Sequence, residues 1–281
     1  MVRIVALTAV AMLAFAANSV LARLALGPAG ADAMAYTGIR LASGAIALAV
    51  LLAAAHRGRG YRIAGSWTGA AALAGYALAF SIAYIMLGAG VGALILFASV
   101  QIGVIGAAIV KGDRPGILEW MGLAVAFTGL VYLVSPGLTA PNPLGALLMV
   151  AAGLCWAAYT LIGRGSQSPL ADTTGNFIRT LPLALPLVLI GSLWHGLDTA
   201  TILYAVASGV VASGLGYAIW YAVLPSLART QAAIVQLSVP AIAAAGGVIL
   251  IAESLTLRLV VSSLAILGGV ALALLTASKR R

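Results

Sequence analysis

Residues 144–164 read LGALLMVAAGLCWAAYTLIGR, an apolar helical run with Trp156 and Tyr159 close to its C-terminal end. The stretch has a partner earlier in the chain. Residues 14–26 read AFAANSVLARLAL. Laid on each other, Phe15 meets Trp156, Ala16 and Ala17 meet Ala157 and Ala158, Asn18 meets Tyr159, Ser19 meets Thr160 and Arg23 meets Arg164. The chain starts over at residue 144.

Composition sets the solvent. Of 281 residues, 63% are apolar and 7% charged, and the mean hydropathy is +1.14. A soluble domain carries roughly 25% charged residues. This chain has too little polar material to coat a water-facing surface and belongs in a bilayer. Its 33 glycines fit close helix approach in lipid. The net charge of +9 sits in residues between apolar runs, so it does not point to nucleic acid. Cys155, the lone cysteine, reads as a small core residue. Arg3, the apolar run after it and Ala14-Phe15-Ala16 have the outline of a signal peptide, but the match to residues 156–164 makes this a permanent helix.

Ten runs reach the roughly 20 apolar residues a span needs, near 4–24, 33–55, 66–87, 91–110, 117–135, 143–163, 172–194, 200–223, 230–252 and 258–277. Turn chemistry separates them: Gly27-Pro28, the HRGRGYR loop, Gly88 to Gly92, Lys111 to Gly116 and the proline-rich joint from Ser135 to Pro143. The loops are short and leave no room for a soluble domain. With the N-terminus inside, the cytoplasmic side receives twelve basic residues from Arg3 to Arg281, and the outer side only Arg23 and Arg258. That asymmetry predicts cytoplasmic termini.

The repeat continues. Ile39-Arg40 matches Ile178-Arg179, the joint Lys111-Gly112-Asp113 matches Ile251-Ala252-Glu253, and Gly129 matches Gly269. Each half, 1–138 and 143–278, then holds five spans. Five is odd, so the second half enters the membrane in the opposite sense. The predicted fold is an all-α integral membrane protein of ten transmembrane helices in two inverted five-helix repeats, with substrate near the midplane between them.

At this point the chain resembles the drug/metabolite transporter superfamily, EamA type. The motifs are Phe15-x-x-Asn18-Ser19, an arginine early in spans 2 and 7, GALILFASVQ from Gly92 to Gln101, and Trp156-x-x-Tyr159-Thr160. Gln236-Leu237-Ser238-Val239-Pro240 and the acidic joint from Glu253 to Thr256 follow. The likeness covers essentially the whole chain. Span 4 departs from it, with Val100-Gln101 where many members carry a proline. The resemblance implies an inner-membrane permease exporting a small organic metabolite, an amino acid or a relative, by alternating access.

Polar residues inside spans are costly and face protein or a cavity. Asn18 and Ser19 either meet substrate or bond a neighbouring helix. Tyr76, Phe80 and Tyr84 recur every four residues on one face of span 3, and Tyr217, Trp220 and Tyr221 are their counterpart in span 8. Ser99, Gln101, Gln236 and Ser238 are mid-span polar groups, and the amides of Gln101 and Gln236 suit a zwitterion. The expected binding set is Phe15, Asn18, Ser19, Tyr76, Phe80, Tyr84, Ser99, Gln101, Trp156, Tyr159, Thr160, Tyr217, Trp220 and Gln236. Pro240 is expected to kink span 9. Arg40 and Arg179 either snorkel to the interface, hold helix ends or draw an anionic group into the cavity. Asp113, Glu119 and Glu253 are expected to cap helices or pair loops.

No Asp, Glu or His falls near the middle of a predicted span, so a titrating proton relay of the usual kind is missing. The chain is expected to prefer neutral or zwitterionic solutes. The alternative is uptake of a quaternary amine through a cage of Trp156, Tyr159, Tyr76 and Tyr217. No phosphate loop, metal-ligand spacing or cluster of titrating groups is present, so no cofactor, metal or enzymatic activity is expected. The expected partners are a small-molecule substrate and membrane lipids, with a homodimer left open.

Overall fold

The structure is a computed structural model and describes residues 2–27, 30–56, 62–110, 116–135, 140–195, 197–227, 232 and 235–278. Among these residues the chain is all helical. The helices are α1 (Val2–Leu26), α2 (Ala33–His56), α3 (Trp67–Met86), α4 (Ala89–Val110), α5 (Ile117–Val134), α6 (Pro143–Gly163), α7 (Pro169–His195), α8 (Thr199–Ser226), α9 (Ser238–Ile251) and α10 (Leu257–Ser278). Seven are long and apolar enough to cross a membrane, and the apolar parts of α5, α9 and α10 are shorter. The helix positions follow the sequence reading closely. The joint at 111–115, the basic residues at 57–59, 229 and 279–281, and Asp113 lie outside the described residues.

Local chemistry sets several starts. Ser66 accepts the Gly69 N–H at 3.0 Å at the head of α3. Asn142 accepts from Gly145 at 3.0 Å with Pro143 in the first turn of α6. Asp198 accepts from Thr201 N–H at 2.6 Å at the head of α8. The Thr201 N–H and then its hydroxyl hold the Asp198 carboxyl below its ordinary range.

Two elements differ from expectation. α8 is α-helical to Ala207, a π-helix from Ser208 to Leu215, and α-helical again from Gly216. Nothing in the hydropathy signals that extra width. In span 9 the regular α-helix is interrupted at Leu237, which keeps helical dihedrals, and α9 begins at Ser238. Pro240 therefore lies in the first turn of α9, where its missing N–H costs nothing.

The helices pack in a pattern that exchanges the halves. α2 packs on α7 and α5 on α10; α3 packs on α6 as α1 packs on α8; α4 packs on α6 as α1 packs on α9. Small residues set the crossings. A Cβ on Gly38 would stand 2.5 Å from the Ala184 carbonyl oxygen, where α2 crosses α7. A Cβ on Gly122 would stand 2.5 Å from the carbonyl oxygen of Gly269, and the reverse holds, where α5 crosses α10. Backbones in contact supply the dispersion that lipid cannot replace.

Gly122→Leu should therefore force α5 from α10 and destabilise the protein by about 1–3 kcal/mol. Gly268→Leu, where a Cβ would meet nothing within 4 Å, should leave the melting temperature in detergent unchanged. Equal melting temperatures for the two variants would contradict this crossing.

Candidate functional site

Rings from α1, α3, α6 and α8 converge in the interior. Phe15 is the hub. Its ring centroid lies 5.5 Å from Trp156, 5.7 Å from Tyr217 and 5.8 Å from Trp220, each edge to face. Trp156 lies 5.1 Å from Tyr76 and 4.5 Å from Tyr217. The α3 stripe continues the wall, with Tyr76 5.2 Å from Phe80 and Phe80 4.6 Å from Tyr84. Such offset and edge contacts are the favoured ring geometries, each adding about 0.5–1.5 kcal/mol beyond burial.

These rings close on a small cavity lined by Phe15, Asn18, Ser19, Tyr76, Phe80, Leu96, Phe97, Trp156 and Tyr217, of about 10 Å³, the room of a single water molecule. A formed ligand site holds roughly 300–1,000 Å³, so this is a closed-down chamber. Phe15 faces Trp156, its counterpart in the repeat.

Asn18 bridges three helices. Its Nδ2 donates to the Tyr76 hydroxyl at 2.9 Å, and its Oδ1 accepts from Ser208 at 2.5 Å. The interhelical alternative is thus realised, at the edge of the chamber.

The group that organises the wall is Arg40. Snorkelling is overturned, because the side chain is 1% exposed. Its Nε donates to Ser213 Oγ at 2.9 Å, and its Nη2 donates to Tyr217 at 2.8 Å and Tyr76 at 3.3 Å. The guanidinium carbon sits 4.9 Å from the Phe80 ring centroid and 5.2 Å from that of Tyr76. The π-helix delivers Ser213 to Nε, and Gly209 lets α8 approach the Arg40 carbonyl. Its repeat mate behaves differently: Arg179 donates to the carbonyls of Ala64 at 2.6 Å and Gly175 at 2.9 Å and ties helix ends.

Other expected residues stand behind or away from the chamber. Tyr159 stacks on Tyr221 at 5.2 Å and Trp156 at 5.5 Å. Trp220 backs Phe15, and Thr160 is buried beside them without lining the space. Three polar residues of the expected set do not line this chamber. Ser99 donates to its own helix at Ile95 O, 2.8 Å, where α4 meets Gly153 of α6. Gln236 donates to Ala232 O at 2.9 Å. Gln101 lines a different space, a groove of about 440 Å³ between α4, α5 and α10 with Trp120, Phe127 and Val270. That groove opens on the outer face of the bundle, where Phe127 is 60% exposed.

Both ends of α3 are clamped. At its C-terminal end, Arg23 Nε pairs with Glu253 at 3.1 Å and its Nη1 donates to Tyr84 O at 3.2 Å. The Glu253 carboxylate also accepts the Ala89 N–H at 2.8 and 3.0 Å, capping α4 from a distant loop. Ala252, left-handed at φ 56°, turns Glu253 into this position. At the other end, Asp172 accepts the Gly65 N–H at 2.8 Å and Asn176 accepts the Ser66 N–H at 2.9 Å.

The model of the EamA-like transporter family matches residues 143–275. An uncharacterized protein of Pseudomonas aeruginosa is 50% identical over 275 residues, covering 97% of this chain and 94% of that one. The threonine/homoserine exporter RhtA of Salmonella typhimurium is 29% identical over 163 residues, 55% of this chain and 53% of that protein. A probable amino-acid metabolite efflux pump of the same organism is 26% identical over 197 residues, 64% and 66% of the two chains. A protein of known crystal structure aligns over 98% of this chain and 97% of its own at TM-score 0.68 and 19% identity, which shows a shared fold.

Tyr217→Phe removes one acceptor from a buried guanidinium. It should destabilise the protein by about 1–3 kcal/mol, read as a lower melting temperature in detergent. Tyr204→Phe, on the same helix and outside this network, should melt with the wild type.

Proposed function

The chain belongs to the EamA-like transporter family, and on that premise we propose that it is a secondary transporter that exports a small organic metabolite, an amino acid or a related compound, across the inner membrane by alternating access. The observation that carries this reading is the chamber itself. Rings and hydroxyls from α1, α3, α6 and α8 meet in the interior, on helices drawn from both halves of the chain. A structural scaffold has no use for a buried polar chamber whose arginine costs roughly 2.5–3.5 kcal/mol to place in a membrane.

Two five-helix units, 1–138 and 143–278, would supply the moving parts. Support comes from the exchange of packing partners between the halves and from the family match that begins at residue 143. In the inverted arrangement one half rocks against the other about a midplane site. The Arg23–Glu253 pair and the Asp172–Asn176 contacts sit at opposite ends of α3, so breaking one set at a time would open the chamber to one side at a time. The export direction rests on the names of the two Salmonella relatives. Cytoplasmic termini rest on the distribution of basic residues.

The organic-cation alternative draws no support from this site. Arg40 already occupies the ring faces of Tyr76 and Phe80. A second cation about 5 Å away would be repelled by roughly 3 kcal/mol at an effective dielectric of about 20.

Cells producing the protein should lose a preloaded, labelled amino acid faster than cells without it. Trp156→Ala, checked for folding by size-exclusion chromatography, should slow that loss about tenfold or more, because Trp156 lines the chamber and packs on Phe15, Tyr76 and Tyr217. Efflux unchanged by the wild-type protein across a panel of amino acids would remove this reading.

A further inference from the structure

Arg40 carries a permanent charge, yet its partners are only hydroxyls and ring faces. Among the described residues no carboxylate contacts it. Nη1 is buried with no hydrogen-bond acceptor in reach. Two further N–H groups of the same ring cluster, Trp156 Nε1 and Trp220 Nε1, are also buried without an acceptor. A buried charge is ordinarily neutralised by a partner, and a buried donor is ordinarily satisfied. Here one cluster presents a surplus of positive charge and of donors. An ionised carboxylate is the complementary group, since it only accepts and matches the planar guanidinium fork.

We propose that Arg40 is the substrate's anion anchor: the solute carried through this chamber presents a carboxylate to the Arg40 guanidinium and lays its remaining body against Phe15, Trp156 and Phe80. The inference rests on the carrier reading above and narrows it to carboxylate-bearing solutes. The geometry separates this role from interface anchoring. Arg40 stands directly behind Tyr76 and Tyr217, which line the chamber, and a small parting of these two rings exposes the guanidinium to the cavity. The π-helix that holds Ser213 and precedes Tyr217 supplies the place for that motion, since such segments convert to α-helix by a one-residue shift and concentrate at functional sites. The site requires no titrating residue, in keeping with the lack of Asp, Glu and His near the middle of the spans.

The test is counterflow in proteoliposomes holding the full chain. Labelled L-threonine, L-leucine and L-phenylalanine are each compared with the corresponding amide, which keeps the body and amine but lacks the carboxylate, and with choline. Wild type should exchange at least one acid about 10- to 100-fold faster than its amide, the range of a lost charge-assisted hydrogen bond, and should not exchange choline. Arg40→Gln should bring the acid-to-amide ratio towards one, whereas a merely structural loss would slow both equally. Arg40→Lys should retain part of the ratio. Should Arg40→Gln fail to fold, the wild-type ratio decides. Amides or choline exchanged as fast as acids by wild type, or a ratio unchanged in Arg40→Gln, overturns the anchor and leaves the carrier standing. Exchange of no member of the panel by folded wild type overturns the carrier reading and the anchor with it.

Discussion

The guanidinium of Arg40 is the constraint to which the interior of this protein is fitted. Burying it removes a strongly solvated charge from water and interface alike. The fold answers with three hydroxyls, from Ser213, Tyr76 and Tyr217, and with the faces of Tyr76 and Phe80. These groups lie on α2, α3 and α8, so their relative rotation is fixed to within hydrogen-bond tolerance. The π-helix of α8 is then understandable. It carries Ser208 to Asn18 and Ser213 to Arg40 within one widened segment. Gly209 in that segment lets the backbone of α8 lie against Arg40. The compensation is partial, because hydroxyl dipoles offset a charge less completely than a counter-ion does. The remainder gives the chamber its chemical character.

Around this centre the packing is uniform in kind. Glycine and alanine faces bring backbones together at α2–α7 and α5–α10, and the rings collect where the small residues leave room. The two clamps then hold the ends of α3. The Glu253 clamp is held at a backbone cost, since Ala252 takes a left-handed conformation that a β-carbon disfavours by about 1 kcal/mol. Gly88 and Gly247 stand beside the Glu253 carboxylate, where side chains would collide with it. Strain at one loop, a remote cap on α4 and an ion pair to α1 are concentrated in one small region.

Much of this was legible from residue pattern. Apolar run length and turn residues located the helices, because in lipid the backbone admits few alternatives. Sliding residues 144–164 onto 14–26 singled out Phe15 and Trp156 as equivalent positions, and the four-residue spacing placed Tyr76, Phe80 and Tyr84 on one face. The illegible parts share a cause: they depend on which helix lies against which. Arg40 and Arg179 look alike in sequence and differ only in their neighbours. Gln101 and Gln236 have equally suitable amides, but one turns to the α4–α5 groove and the other to its own backbone. The π-helix has no hydropathy signature. Pro240 announced a disruption, and the structure places it at Leu237.

A structure determined with an exchanged amino acid bound is the most direct measurement. Two spaces compete for it: the small chamber beside Arg40 and the larger groove lined by Gln101, Trp120 and Phe127. The carboxylate should lie within hydrogen-bonding distance of Arg40 Nη1, with Tyr76 and Tyr217 moved apart to admit it. Density for the solute in the α4–α5 groove, with Arg40 still sealed behind both tyrosines, would contradict the central claim.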